Sequence, residues 1–232
     1  MGLKGVHAYL RQEGATTTAN IPHHLRQYQV GIVYVDFCCD FFWLLQDFAV
    51  DFLTSTSDRR QEQQQQDQYA EVARRFVERT MNELNAFADD SEVPKICLVF
   101  DGDRLSAKRA THATRQAKKN LALRKARRQT ANPRGPYFAA REHLRRKYAK
   151  QWVSFTPAIK GAIIHELNTR QDTRPYDRKF ANEPVRIFIH EAPFEADPEV
   201  VYLCDSLGEG VQSAIMSRDG DLFAYQGTLD VP

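Results

Sequence analysis

Four short carboxylate clusters punctuate this chain, three of them at the end of an apolar run: Val-Tyr-Val-Asp36, Leu-Val-Phe-Asp101-Gly, Ala-Pro-Phe-Glu195-Ala-Asp197 and Ser-Arg-Asp219-Gly-Asp221. An apolar run of four to six residues ending in Asp reads as a buried strand that hands a carboxylate to the edge of a sheet. Strands of this kind, separated by helical stretches, imply a mainly parallel α/β sheet with right-handed crossovers. Open α/β sheets bind ligands outside the carboxyl ends of their strands. Carboxylates converging there repel one another unless a cation holds them, and all-oxygen sets suit Mg²⁺ or Mn²⁺.

The pattern along the chain fits one α/β domain spanning residues 1–232. A short helix is expected over 6–11 and a central, β-branched strand over 30–35. Residues 37–53 are strongly apolar and too long for one strand, so a buried helix is expected. Residues 54–66 are polar and Gln-rich, a loop or an exposed helix start. Tyr69, Val72, Phe76, Val77, Met81, Leu84 and Phe87 recur at helical spacing and mark a core-facing stripe. A second strand is expected over 96–100. Basic helices over 107–129 and 139–150 flank a Pro/Gly breaker at 132–136 and suggest an arch thrown off the sheet edge. Thr156-Pro157 opens a helix over 157–167, and 169–184 reads as a polar loop. Strands over 185–189, 211–216 and 223–225 and a helix over 198–206 complete the reading.

The chain's net charge of +2 conceals a strong asymmetry. Residues 104–150 hold sixteen Lys or Arg and one acid, Glu142, a net of +15 that leaves −13 for the remainder. Interleaved with Tyr137, Phe138 and Tyr148, this segment reads as phosphate-facing rather than as a merely solvated face. Cys38, Cys39, Cys97 and Cys204 lack metal-ligand spacing and read as buried, reduced thiols of an intracellular protein. The start of the chain lacks a secretory apolar region and, with Val6 where Ser or Thr is required, a myristoylation pattern. No uncharged run is long enough to span a bilayer, so no membrane partner is expected.

Two bound divalent ions suit phosphodiester hydrolysis: they position a water, neutralise the phosphate and stabilise the leaving oxygen. Asp36, Asp101, Glu195, Asp197, Asp219 and Asp221 supply six carboxylates for them. Each alone has an ordinary explanation, as a helix cap or an Asp-Gly turn; four clusters at strand ends together point to a site.

With these motifs on the page, the chain resembles the flap endonuclease, exonuclease 1 and XPG superfamily of structure-specific 5′ nucleases. More distantly it resembles the 5′–3′ exoribonucleases that share a PIN-like core. Met1-Gly2-Leu3-Lys4-Gly5-Val6 is similar to that family's opening. Val-Tyr-Val-Asp36 is similar to its first aspartate strand, and Val99-Phe100-Asp101-Gly102 followed by Lys108 and Arg115 to its second. Glu191-Ala192-Pro193-Phe194-Glu195-Ala196-Asp197 resembles the acidic helix of exonuclease 1. Ala214-Ile215-Met216-Ser217-Arg218-Asp219-Gly220-Asp221-Leu222 resembles the strand with paired aspartates. The resemblance spans nearly the whole chain in order.

The resemblance implies a PIN-like, mainly parallel sheet flanked by helices, with a basic arch over 104–150. It implies a 5′ nuclease using two Mg²⁺ (or Mn²⁺), with a 5′-ended, flapped or single-stranded nucleic acid as substrate, DNA favoured, and a nuclear location favoured over a cytoplasmic one. Asp36, Asp101 and Asp197 would hold one ion, Glu195 nearby or through water, and Asp219 and Asp221 the other. Lys108 and Arg115 would contact the scissile phosphate. Lys118, Lys119, Arg124, Lys125, Arg127 and Arg128 would line the nucleic-acid path. Gly2 would let the chain start approach the substrate backbone, which requires an intact amino terminus. Phe42 reads either as a stacking platform or as a core aromatic. Arg218 stands where the family carries an acid. Beyond the paired aspartates the family has a seventh aspartate and a helix-hairpin-helix module; Asp230 comes too early to match that aspartate, so a partner protein supplying the module's function is an expectation. The remaining alternatives are a catalytically weak or inactive binding scaffold of the same fold and an RNA-directed 5′–3′ exonuclease.

Overall fold

The apolar run that ends on Asp36 forms strand β1 (Ile32–Asp36), all five residues of which are buried. In the computed structural model, which describes residues 20–55, 62–102, 109–129, 137–176, 186–207 and 210–218, β1 lies inside a five-stranded sheet. The other strands are β2 (Lys95–Phe100), β3 (Thr173–Pro175), β4 (Ile187–Glu191) and β5 (Ser213–Met216). Their order is β3-β4-β2-β1-β5, and every pairing is parallel. The centre of a parallel sheet is covered on both faces, which is why β1 and β2 read as unbroken apolar runs. The register sets Asp36 beside Val99, Phe100 beside Glu191 and Val35 beside Met216. Four strands therefore end close together along one edge, each pointing its carboxyl end the same way.

The helices are α1 (Ile21–Gln27), α2 (Phe37–Asp40), α3 (Phe42–Asp47), α4 (Ala49–Ser55), α5 (Glu62–Ser91), α6 (Arg109–Arg128), α7 (Phe138–Trp152), α8 (Pro157–Thr169) and α9 (Ala196–Asp205). The chain divides into two compact units. One contains the sheet, α1, α2, α9 and the end of α5. The other contains α3, α4, the start of α5, α6, α7 and nearly all of α8.

In the sheet unit, Ile32, Tyr34, Cys97, Val99 and Phe188 cluster with Ala196, Val200, Val201 and Leu203 of α9. Tyr34 is fully buried, and its hydroxyl is satisfied by the Tyr176 hydroxyl at 2.9 Å; burial holds the Tyr34 phenol well above its usual range. Side chains alternate along a strand, so Phe100 belongs to the opposite face, where its ring stacks on Phe37 with centroids 4.1 Å apart. In the helical unit, α6 and α7 pack against each other, and α7 also packs on α3 and α4. Ala122, Ala126 and Ala149 are buried there, small enough to let helices approach.

The parallel α/β reading and the helices over the two basic segments agree with this architecture. Val72, Phe76, Val77, Met81 and Leu84 of the α5 stripe are buried. Thr156 caps α8, its hydroxyl accepting from Ile159 N–H at 3.3 Å. Two expectations need correction. Residues 37–53 are not one helix but α2, α3 and α4, separated at Phe41 and Phe48. Phe37, Phe41, Leu44, Leu45, Phe48 and Phe52 are all buried across the three helices; they keep one helical spacing through both turns, so the pattern alone does not mark the breaks. The stretch over 169–184 is not wholly a loop, since Thr173–Pro175 adds β3 beside β4. Pro175 lacks an N–H and is tolerated because β3 is an edge strand. The elements expected over 6–11 and 223–225 and the breaker at 132–136 lie outside the described residues. Among the described residues, no helix is long and apolar enough to cross a membrane.

Phe100 joins the sheet to α2 through the Phe37 stack. Phe100→Ala is expected to lower the unfolding free energy by about 3–5 kcal/mol, read from chemical denaturation; a loss under about 1 kcal/mol would contradict the packing described here.

Candidate functional site

β2 and β4 remain laced together after their regular ladder ends. Ala192 N–H donates to the Phe100 carbonyl at 2.9 Å, and Gly102 N–H donates to the Phe194 carbonyl. Gly102 sits so close to the opposing chain that a Cβ there would overlap the Ala192 carbonyl and stand 2.7 Å from the Pro193 carbonyl carbon. Only glycine permits that approach. The lacing sets Asp101 at the start of α9, where its Oδ1 accepts the Ala196 N–H at 2.9 Å. Glu195, the residue preceding α9, makes no capping bond with its own side chain. Asp101 thus caps α9 from another strand, and the positive end of the helix favours a carboxylate there.

Asp197 follows in the first turn of α9 and is half-buried. That turn is fixed to the end of β4 by Glu199, whose Oε1 lies 2.7 Å from His190 Nε2. Asp36 ends β1 and is only 5% exposed. Its Oδ1 accepts the Cys39 N–H at 3.1 Å, a local cap that opens α2.

Burial lifts Asp36 far above the usual carboxylate range, to about 8. The Cys39 hydrogen bond works against that rise, while the charges of Asp197, Asp101 and Asp40 add to it. Of the carboxylates expected from sequence at one site, Asp101 and Asp197 are thus each close enough to act on Asp36. Glu195 is half-buried between Phe194 and α9.

Asp40 is the site residue that sequence reasoning missed. It is 5% exposed, and its Oδ2 has no hydrogen-bond partner among the described residues. Burial raises it to about 6, against the pull of the Arg218 guanidinium and backbone N–H. Its signal was visible: an acid four residues after Asp36, followed by the apolar run 41–45, one helical turn from the first ligand candidate. Ser217 and Arg218 carry the end of β5 onto α2, where Ser217 bonds the Cys39 sulfur. Burial and then Asp36 push the Cys39 thiol up to about 11, so it is not a thiolate nucleophile near neutrality.

Among the described residues, no three His, Cys, Asp or Glu side chains stand close enough together to hold a metal ion as placed. The donor chemistry nevertheless fits a hard cation: every candidate atom is a carboxylate oxygen, and one of them, Asp40 Oδ2, is buried without a partner among the described residues. Asp219, Asp221, Lys108 and Gly2 lie outside the described residues. Arg115 belongs to α6 in the helical unit and is exposed, as are Lys118, Arg124, Lys125, Arg127 and Arg128; Lys119 is half-buried. Phe42 opens α3, also in the helical unit, and is half-buried. On α7 the basic groups are largely matched: Arg145 and Arg146 pair with Glu142, and Lys150 lies 3.3 Å from Asp47. On α6, among the described residues, Arg115, Lys118, Arg124 and Arg128 form no ion pair.

Compared with protein-family models the chain matches none, and a search of curated proteins finds no match.

A carboxylate whose folded-state pKa is raised binds its proton more tightly when folded than when unfolded. Stability therefore falls as pH rises from the unfolded value near 3.8 through the folded value near 8. Asp36→Asn keeps an acceptor for Cys39 and removes the charge. In metal-free buffer it is expected to raise the thermal midpoint, by more at pH 8 than at pH 5. Equal midpoints for the two proteins at pH 8 would contradict the electrostatics described here.

Proposed function

We propose that this chain is a divalent-cation-dependent nuclease with a PIN-like fold, acting on 5′-ended, flapped or single-stranded nucleic acid, with DNA favoured. The observation that carries this reading is the gathering of Asp36 at the end of β1, Asp101 just past β2 and Asp197 at the start of α9, where the charges of Asp197 and Asp101 add to the cost of ionising Asp36. Such a set is stabilised by a cation and destabilised without one. The ordered motifs that resemble the flap endonuclease superfamily support it, as does the reserve of positive charge on α6.

On this reading Asp36, Asp101 and Asp197 would hold one Mg²⁺ or Mn²⁺, with Glu195 beside them, and Asp219 and Asp221 would hold a second. When bound, such ions supply an activated water and stabilise the departing oxygen. Asp101 contributes a carboxylate held in place by α9, so little reorganisation is required of it. Asp36 contributes a buried carboxylate whose charged form a bound cation would stabilise. Lys108 and Arg115 would neutralise the scissile phosphate, and the remaining basic groups of α6 would follow the backbone, which gives affinity without base specificity. A location in the nucleus and a partner protein completing the grip on duplex substrate belong to the same reading.

A second reading, a nucleic-acid-binding scaffold of this fold without catalysis, is favoured by the lack of a ready-made ligand trio among the described residues. Single-turnover assays on a 5′-flap DNA and a matched single-stranded RNA, each with Mg²⁺ and with Mn²⁺, separate the readings. Metal-dependent cleavage is expected, faster on DNA and lost in Asp101→Ala with binding retained. Faster cleavage of RNA would reassign the substrate. Tight binding without cleavage of either polymer would favour the scaffold, and cleavage undiminished in Asp101→Ala would contradict the site.

A further inference from the structure

Asp40 needs an explanation that packing does not supply. It lies on α2, one helical turn beyond Asp36, and its side chain is 6% exposed. Buried carboxylates are normally surrounded by donors to both oxygens. Here Oδ1 faces Arg218 Nε at 3.9 Å, too far for a hydrogen bond, and the Arg218 backbone N–H donates to the carboxylate. Oδ2 meets no donor among the described residues. The charge is also close enough to be felt at Asp36. A helix cap would use both the position and the oxygens differently, and a structural ion pair would bring guanidinium and carboxylate into contact. Arg218, whose side chain is 62% exposed, instead stands off from the acid.

We propose that Asp40 is a further carboxylate of the cation site and that Arg218 is its built-in counter-ion, offsetting the charge of Asp40 when no metal is bound. The inference rests on the reading of the strand-end carboxylates as a cation site and extends it with a residue from α2. Arg218 immediately precedes the segment that carries Asp219 and Asp221. Its stand-off from Asp40 leaves a buried oxygen that a cation satisfies without breaking a close pair. In this arrangement cation and guanidinium compete for the same negative charge, so removing the guanidinium favours the cation.

Titration calorimetry with Mn²⁺ alone, on the full chain at fixed ionic strength, tests this through two variants. Asp40→Asn keeps shape and an acceptor for the Arg218 N–H; it is expected to weaken Mn²⁺ binding by about 10–100-fold, the range for groups that support a metal site. Arg218→Gln, at an exposed position, is expected to tighten Mn²⁺ binding. Circular dichroism and thermal unfolding establish that each variant is folded. Should Asp40→Asn fail to fold, the Arg218→Gln result decides alone: unchanged or weaker binding overturns the proposal. Unchanged Mn²⁺ affinity in folded Asp40→Asn overturns it too while leaving the Asp36, Asp101 and Asp197 site standing. Absence of any Mn²⁺ binding to the unsubstituted chain overturns both.

Discussion

The backbone lacing of residues 100–102 to 192–196 is the constraint on which the candidate site depends. It extends the β2–β4 pairing past the strand ends through Phe100, Gly102, Ala192 and Phe194. A parallel ladder usually dissolves where its strands diverge into crossovers. Here the absent side chain of Gly102 lets two backbones meet, and the meeting places Asp101 on the first N–H of α9. The lacing holds the exposed Asp101 at the start of the helix whose first turn carries Asp197. His190 and Glu199 secure the same helix turn from the other side.

The cost of this arrangement is electrostatic. Asp36 and Asp40 are buried acids in a region that gathers further acids, and both are held well above the usual carboxylate range. Nothing in the packing of the sheet requires two buried carboxylates: Ile32, Tyr34, Val99, Phe100 and Phe188 already fill the faces. On the proposed reading, these buried acids are where stability is given up for binding a cation. Arg218 offsets part of that cost, at a distance.

The sheet was legible because buried parallel strands are continuous apolar runs, as β1 and β2 are, while β4 showed by alternation; all three fall within a residue or two of their observed limits. Asp36 and Asp101 were legible because a strand that runs into an acid announces its own direction, and Asp197 because it follows Glu195 in a short acidic cluster. β3 was not: three residues, one of them Pro175, carry no periodicity, and their pairing with β4 comes from the neighbouring strand rather than from their own composition. The division of 37–53 into three short helices was hidden for a different reason: Phe37, Phe41, Leu44, Phe48 and Phe52 keep one helical spacing across the breaks, so nothing in the apolar pattern marks them. Asp40 was concealed inside that stretch, and its environment depends on Arg218 at the end of the neighbouring strand β5, distant in sequence, a proximity that no local pattern records. The capping of α9 by Asp101 is equally non-local, joining positions 101 and 196 through the lacing that precedes them.

The central claim is that the carboxylates at the ends of β1 and β2 and the start of α9 form a cation site. Anomalous diffraction from crystals of the chain soaked in Mn²⁺ tests it most directly. A manganese peak ligated by Asp36, Asp101 and Asp197 is the result this account predicts. Saturating Mn²⁺ with those three carboxylates left metal-free would contradict it.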